Sequence, residues 1–185
     1  MEERLIIAGF GGQGVMAMGQ LLTYAGMIEG KHVSWLPSYG PEMRGGTANC
    51  SVIISTEPVG SPVVVNSTTA IVMNKPSLDK FESGVNKDGK LFINSSLIEQ
   101  KSNRDDIEAY YIPANEIADE LGNMRVANMV MLGAYLEVSK IVDIKSVLEG
   151  FTKVFGENRA HLIPINKEAL ERGAQVARKQ MKVMA

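Results

Sequence analysis

Cysteine is nearly missing from this sequence: Cys50 is the only one in 185 residues. One thiol excludes an intrachain disulfide and fits a reducing, cytoplasmic compartment. With only two histidines, His32 and His161, the inventory is too small for a zinc site of four cysteines or of two cysteines and two histidines. One copy of the chain cannot hold an iron–sulfur cluster on four thiolates either. An excess of one charge is also missing. Lys plus Arg is 19 and Asp plus Glu is 21, for a net −2, so neither nucleic acid nor a membrane surface is an expected partner. The longest mainly apolar stretch, Val126 to Val138, falls short of the ~20 residues that span a bilayer. The opening MEERLIIAGF puts acids ahead of its apolar run and shows no cleavage motif, so no signal peptide is expected.

What is present is an ordinary globular composition. Hydrophobic residues make up 45%, enough for a core without cross-links, and residues 1–185 read as a single domain. Arg4 to Phe10 is an apolar run reaching a glycine, the pattern of a buried first strand. Residues 12 to 29 place Val15, Met18, Leu22 and Ala25 at helical spacing, and His32 to Leu36 reads as a second strand closing a βαβ-like unit. Alternation over Ala48 to Ser55 predicts a half-buried strand, with Val63 to Val65 as its return strand. Ala70 to Asn74 is another strand and Pro76 to Glu82 a short helix. Lys87-Asp88-Gly89 is a turn before the strand Lys90 to Asn94, and Ala109 to Ile112 is the last strand. Helices are expected over 114–121, 124–139, 144–155 and 167–182, with Asp143 and Asn166 as N-caps of the last two. Leu170, Ala174, Ala177 and Met181 make a narrow apolar stripe on the final helix. Strands alternating with helices predict an α/β fold: a Rossmann-like, mainly parallel sheet flanked by helices. An antiparallel edge hairpin from 47–65 and C-terminal helices against a sheet face or a partner complete it.

Two loops carry the chemistry. Gly9-Phe10-Gly11-Gly12-Gln13-Gly14 fits G-x-G-x-x-G between a strand and a helix. Its glycines let backbone approach an anion, and the helix start offers free N–H groups. A dinucleotide-binding loop also needs an acid some 20 residues on, at the end of the second strand. That region reads HVSWLPSYG, with no Asp or Glu. A phosphate or cofactor-tail contact at Gly9, Gly11, Gly12, Gln13 and Gly14 therefore stands beside a turn that binds nothing. The second loop, Ser38-Tyr39-Gly40-Pro41-Glu42-Met43-Arg44-Gly45-Gly46, follows a strand's C-terminal end, where open α/β sheets place ligands. It presents Tyr39, Glu42 and Arg44 among residues that fix backbone shape. Other candidates read as structural: Cys50 as a buried thiol, His161 as a structural or surface histidine, Met124, Met129 and Met131 as adaptable packing.

These two loops, in this order, resemble the gamma subunit of 2-oxoacid:ferredoxin oxidoreductases. The likeness continues through Ala70-Ile71-Val72-Met73-Asn74-Lys75-Pro76 and Ala127-Asn128-Met129-Val130-Met131-Leu132-Gly133-Ala134. Tyr39 and Gly45-Gly46 are more similar to the 2-oxoglutarate and branched-chain members than to the pyruvate type, whose loop usually resembles F-G-x-E-R-R-G-A. The small subunit of indolepyruvate enzymes shares much of the pattern, so the oxoacid stays open.

The resemblance implies a multi-subunit enzyme that decarboxylates a 2-oxoacid on thiamine diphosphate and Mg²⁺. It transfers the acyl group to coenzyme A and passes electrons through iron–sulfur clusters to ferredoxin. Those cofactors belong to, or act with, other subunits. This chain carries no catalytic residue or metal of its own; isolated, it is expected to be inactive and to form a homodimer. In the assembly, the loop of Ser38, Tyr39, Gly40, Pro41, Glu42, Arg44, Gly45 and Gly46 faces a partner subunit or coenzyme A. A thiamine motif is not met: Lys87-Asp88-Gly89 with Asn115 downstream lacks the leading glycine. The alternative is an autonomous nucleotide-binding enzyme or sensor that uses Gly9–Gly14.

Overall fold

A computed structural model of the chain describes residues 1–38 and 47–184. Tyr39, Gly40, Pro41, Glu42, Arg44, Gly45 and Gly46 lie outside the described residues. Six strands form one sheet in the order β2-β3-β1-β4-β5-β6. They are β1 (Glu2–Phe10), β2 (His32–Ser38), β3 (Thr47–Ser55), β4 (Ser67–Val72), β5 (Val85–Asn94) and β6 (Glu108–Ile112). The β1–β4, β4–β5 and β5–β6 pairs are parallel, and β3 runs antiparallel to both of its neighbours. The fold is therefore α/β with a mainly parallel sheet, as expected.

The strand pattern shows how the layers form. Leu5, Ile7, Cys50, Val52, Ile54, Ile71, Phe92 and Tyr110 face one large core, while Ala70, Val72, Leu91 and Ile93 face a smaller one. Apolar residues on both strand faces require cover on both sides of the sheet. The large core is covered by α1 (Val15–Ile28), α3 (Ala114–Glu120), α4 (Ala127–Ser139), α5 (Ile144–Phe155) and α6 (Ile163–Met184); the small one is closed in part by α2 (Lys75–Phe81) through Leu78. Helix α4 is buried from Ala127 to Leu136, which accounts for the long apolar stretch: it is an internal helix. Among the described residues, no helix is long and apolar enough to cross a membrane.

Four expectations are corrected. First, β2 does not pair with β1, because β3 is inserted between them. The antiparallel edge hairpin is β2–β3, with Ser38 opposite Asn49 and Pro37 opposite Cys50. Val63 to Val65 forms no strand; Val63 and Val65 are exposed. Pro37 suits the outer strand, where a missing N–H is tolerated. Second, β3 is more than half-buried, since Ile53 and Ser55 are covered as well. Third, β5 runs through Lys87-Asp88-Gly89. The register jumps from Ser67↔Val85 to Thr69↔Lys90, so these residues bulge from the ladder, with Asp88 at φ 62°. Fourth, α6 starts before Asn166. A 3-10 segment, Glu157–Leu162, runs into it, and Asn166 is buried inside the helix with Nδ2 donating to Leu162 O at 2.7 Å. Asp143 does cap α5, accepting from Lys145 N at 2.8 Å.

Candidate functional site

Strands β1, β4 and β5 end together, and their C-terminal ends carry the glycine turn, Met73-Asn74 and Asn94-Ser95-Ser96. The glycine turn is held by its own side chains. Gln13 N donates to Phe10 O at 3.2 Å, and Gln13 Oε1 accepts from Phe10 N at 2.6 Å. Gly12 and Gly14 sit at φ 93° and 74°, the left-handed region that side chains disfavour. A Cβ at Gly9 would meet Gln13 Oε1 at 2.7 Å and Met73 Cβ at 2.9 Å. A Cβ at Gly14 would run into the Asn128 carboxamide. At Gly12 nothing lies within 4 Å, so this backbone borders open space.

A row of carboxamides continues from the turn. Gln13 Nε2 and Asn94 Nδ2 both reach Met73 O, at 3.5 and 3.4 Å. Asn94 Nδ2 also donates to Asn115 Oδ1 at 2.8 Å. Asn74 caps α2 by accepting from Ser77 N at 2.9 Å and donates to Gln13 Oε1 at 3.5 Å. Asn128, at the start of α4, donates to Gly14 O at 3.3 Å. Ser96 Oγ accepts from Asn115 N and Glu116 N at 3.1 and 3.2 Å. Each group can donate and accept but carries no charge, so the row sets geometry rather than potential. Gln13, Asn74 and Asn128 fall within the recognisable sequence motifs. The others lacked a sequence signal beyond their place at a strand's end, which is where Asn94 stands in LFIN.

Two cavities open on this edge. One of about 140 Å³ is lined by Gln13, Met73, Asn115, Met124 and Asn128, among others. The other, of about 500 Å³, runs from Gly12, Gly14 and Ala17 past Arg125 and Asn128 to Phe151, Phe155, Arg159 and His161. Helix α1 begins at its wall with no side-chain cap.

The predicted residues fall as follows. Gly9, Gly11, Gly12, Gln13 and Gly14 make one turn at the edge. Ser38 is exposed at the end of β2, and Ser38, Asn49 and Ala8 share one row across the sheet. The backbone of Thr47 pairs with Phe10. Both ends of the 39–46 segment are thus anchored within two strands of the glycine turn. Lys87-Asp88-Gly89 and Asn115 do not converge. Asn115 meets Asn94, and the stretch Lys90–Asn94, about 13 Å of strand, separates it from Asp88. His161 is exposed in the 3-10 segment, with Nδ1 3.1 Å from Asn158 O. Met129 and Met131 are core, whereas Met124 is exposed on the cavity rim.

Cys50 lies under α1, its Sγ 3.6 Å from Val15 O. Burial pushes the thiol up to about 12, and the nearby Trp35 indole N–H, which completes no hydrogen bond, offsets part of the rise. It is a packing residue, not a nucleophile. Among the described residues no three His, Cys, Asp or Glu side chains converge. The edge offers hydrogen bonds from its carboxamides and positive charge from Arg125 and Arg159.

Comparison with known proteins finds relatives of the chain as a whole. A family model described as pyruvate ferredoxin/flavodoxin oxidoreductase matches residues 4–176. The ketoisovalerate oxidoreductase subunit VorA of Methanothermobacter marburgensis is 41% identical over 97% of this chain; the chain spans 37% of that relative's length. The 2-oxoglutarate synthase subunit KorC of Methanocaldococcus jannaschii is 33% identical over 80% of each chain. The gamma subunit of a keto/oxoacid ferredoxin oxidoreductase from Geobacter sulfurreducens superposes with a TM-score of 0.80. It covers 95% of this chain and 98% of its own, at 24% identity.

Proposed function

We propose, from the premise that this chain belongs to the pyruvate ferredoxin/flavodoxin oxidoreductase family, that it is the gamma-type subunit of a cytoplasmic 2-oxoacid:ferredoxin oxidoreductase. One observation carries the reading. Nearly the whole chain aligns with a little over a third of a ketoisovalerate oxidoreductase subunit, so the same module works inside a larger oxidoreductase chain. The substrate is a 2-oxoacid of the ketoisovalerate or 2-oxoglutarate class, acyl acceptor coenzyme A, electron acceptor ferredoxin. Thiamine diphosphate, Mg²⁺ and the clusters would be held by companion subunits; this chain's single buried thiol has no place among cluster ligands.

The autonomous dinucleotide enzyme is the weaker reading. In that fold the second strand lies beside the first and supplies the ribose acid. Here β3 intervenes, and β2 ends in Leu36-Pro37-Ser38. Phe10 N–H is also already bonded to Gln13.

The chain's own contribution is to present the glycine turn on the edge where Ser38 and Thr47 flank the 39–46 segment, toward companion subunits or coenzyme A. Arg44 supplies a fork that pairs bidentately with a carboxylate or phosphate. Exposed apolar side chains on the same edge, Phe10, Leu97 and Met124, leave surface for a companion, and the isolated chain covers them by forming a homodimer.

Affinity-tagged chain, purified from its native cells, is expected to bring thiamine-binding and cluster-binding subunits with it. The preparation should reduce a dye only with both a 2-oxoacid and coenzyme A. Arg44→Ala should leave the lone chain's melting temperature unchanged, the outcome expected if the charge serves a ligand or companion rather than the fold. In the reconstituted complex it should weaken assembly or raise the coenzyme A KM about tenfold. A tagged chain that elutes alone and oxidises the oxoacid by itself refutes the reading. A stable Arg44→Ala complex with wild-type kinetics removes the loop's role.

A further inference from the structure

Strand β6 ends the sheet. Its five residues, Glu108–Ile112, pair with β5 on one side only. A last strand turns the N–H and C=O of every second residue outward, where they invite another strand. Ile112 O accepts from Ser95 N and points inward, so Tyr111 points outward, and Ala109 with it.

Tyr111 is not left open. Gln180 Oε1 accepts from Tyr111 N at 3.0 Å, and Gln180 Nε2 donates to Tyr111 O at 2.6 Å. A carboxamide carries the same donor and acceptor as a peptide unit. One side chain thus makes both bonds that a residue of a neighbouring strand would make. Gln180 belongs to α6, so the C-terminal turns of that helix are tied to the edge strand. Beside the tie lies a cavity of about 300 Å³ lined by Ala109, Tyr111, Lys179, Gln180, Val183 and Met184. Val183 and Met184 are exposed. An outward backbone pair next to an apolar cavity offers an added strand hydrogen bonds and a seat for a side chain.

The same strand of a second copy meets these demands. When β6 is laid antiparallel on its copy about a two-fold axis at Tyr110, Ala109 of each faces Tyr111 of the other. Both residues point outward, so each pair can exchange two N–H···O bonds. Glu108 then faces Ile112, and no like charges meet. Tyr110, Tyr111 and Ile112 also favour the strand state. Gln180 occupies the backbone groups of Tyr111 that this pairing would use.

We infer that Gln180 is a strap: it stands in for a seventh strand and holds the β6 edge closed against the same edge of a second copy. Its action does not depend on what the glycine turn meets.

Amide hydrogen exchange and sedimentation velocity of the full chain test the strap together. In the wild type, the Tyr111 amide should exchange about tenfold more slowly than the Ala109 amide after correction for intrinsic rates, the protection one ordinary hydrogen bond confers. Gln180→Ala, in a helix that alanine favours, should keep its circular dichroism spectrum. Dilute, it should lose the Tyr111 protection. Concentrated, it should sediment as a larger species than the wild type at equal concentration, and both Ala109 and Tyr111 should become protected. Lys179→Ala widens the same cavity but keeps the tie, so it should sediment as the wild type does. Wild-type Tyr111 exchange as fast as that of Ala109 overturns the strap. So does a Gln180→Ala chain that loses protection yet sediments as the wild type at high concentration, because the tie is then only structural. Equal self-association of Lys179→Ala overturns it too, since the apolar cavity would then be the cause. None of these outcomes touches the subunit reading, which dye reduction by the tagged complex tests separately.

Discussion

Gly173→Ala is expected to cost about 3 kcal/mol of folding stability, at the upper end of ordinary overpacking. The contact is backbone on backbone. Helices α4 and α6 cross so closely that a Cβ at Gly173 would be driven into the carbonyl oxygen of Val130. A Cβ at Gly133 would be driven into that of Leu170. Alanine adds up to about 1 kcal/mol of helix propensity over glycine, the opposite sign. It cannot win, because a carbonyl in a helix ladder has no rotamer to change; the two helices must separate. Separation also uncovers Leu132, Ala134, Ala169 and Ala177, all fully buried. Gly150→Ala is the control: its nearest neighbour would be Tyr24 Cβ at 3.1 Å, a side-chain atom. Urea unfolding should show a large fall in midpoint for Gly173→Ala with an unchanged m-value, and a small change of either sign for Gly150→Ala. A loss under about 1 kcal/mol at Gly173, within the range of ordinary surface substitutions and caps, would mean the crossing is not held by this contact.

The consequence reaches the site. Asn128 sits on the first turn of α4 and donates to Gly14 O, and its carboxamide occupies the space a side chain at Gly14 would need. The α4–α6 crossing therefore sets where the glycine turn stands. That link joins a stripe of small residues on the last helix to the edge where ligand or partner arrives.

The elements were legible because their periods are local. Leu5 to Ala8 as a covered strand, and Val15, Met18, Leu22 and Ala25 as one helix face, follow from the order of apolar residues alone. The neighbour of β1 was not legible. Alternation in Ala48 to Ser55 says that β3 has a core face, but not that it slides between β1 and β2, because pairing order depends on contacts distant in sequence. Val63 to Val65 looks like a strand by composition, yet Val63 and Val65 end exposed. The start of α6 was misplaced because Asn166 reads as an N-cap, whereas the helix begins at Ile163 with Pro164 in its first turn, where proline is well tolerated. At the site, glycines announce themselves by rarity and spacing. Asn94 and Asn115 do not, since a neutral carboxamide disturbs neither composition nor charge. Arg125 and Arg159 are 34 positions apart and became a pair only through the packing of α5 and the segment after it.

Alkaline pH is expected to unfold this chain earlier than its composition suggests, and Cys50 supplies the largest quantifiable share. Its thiol is pushed up to about 12 from an ordinary 9.0, first by burial. Tyr135 is raised well above its ordinary range by burial and by Glu3. Burial and Glu108 raise Tyr110. In each case the folded chain favours the neutral form. Below pH 9 the thiol is protonated in both states and has no differential effect. Above pH 9 the unfolded chain loses the proton and the folded chain keeps it, so stability falls as pH rises, until the folded thiol itself ionises near 12. The slope is about 1.4 kcal/mol per pH unit, so Cys50 alone removes about 3 kcal/mol by pH 11. The tyrosines add to the same slope from about pH 10 upward. Stability measured by urea between pH 8 and pH 11 should therefore decline steeply. Cys50→Ala leaves a small cavity whose cost is independent of pH, so its curve should start lower and decline less. The same burial should slow alkylation of the native thiol about a thousandfold at pH 8 relative to the unfolded chain. Parallel wild-type and Cys50→Ala curves, with rapid native alkylation, would show that the thiol is not held neutral and that α1 lies more loosely on β3 than the 3.6 Å from Cys50 Sγ to Val15 O implies.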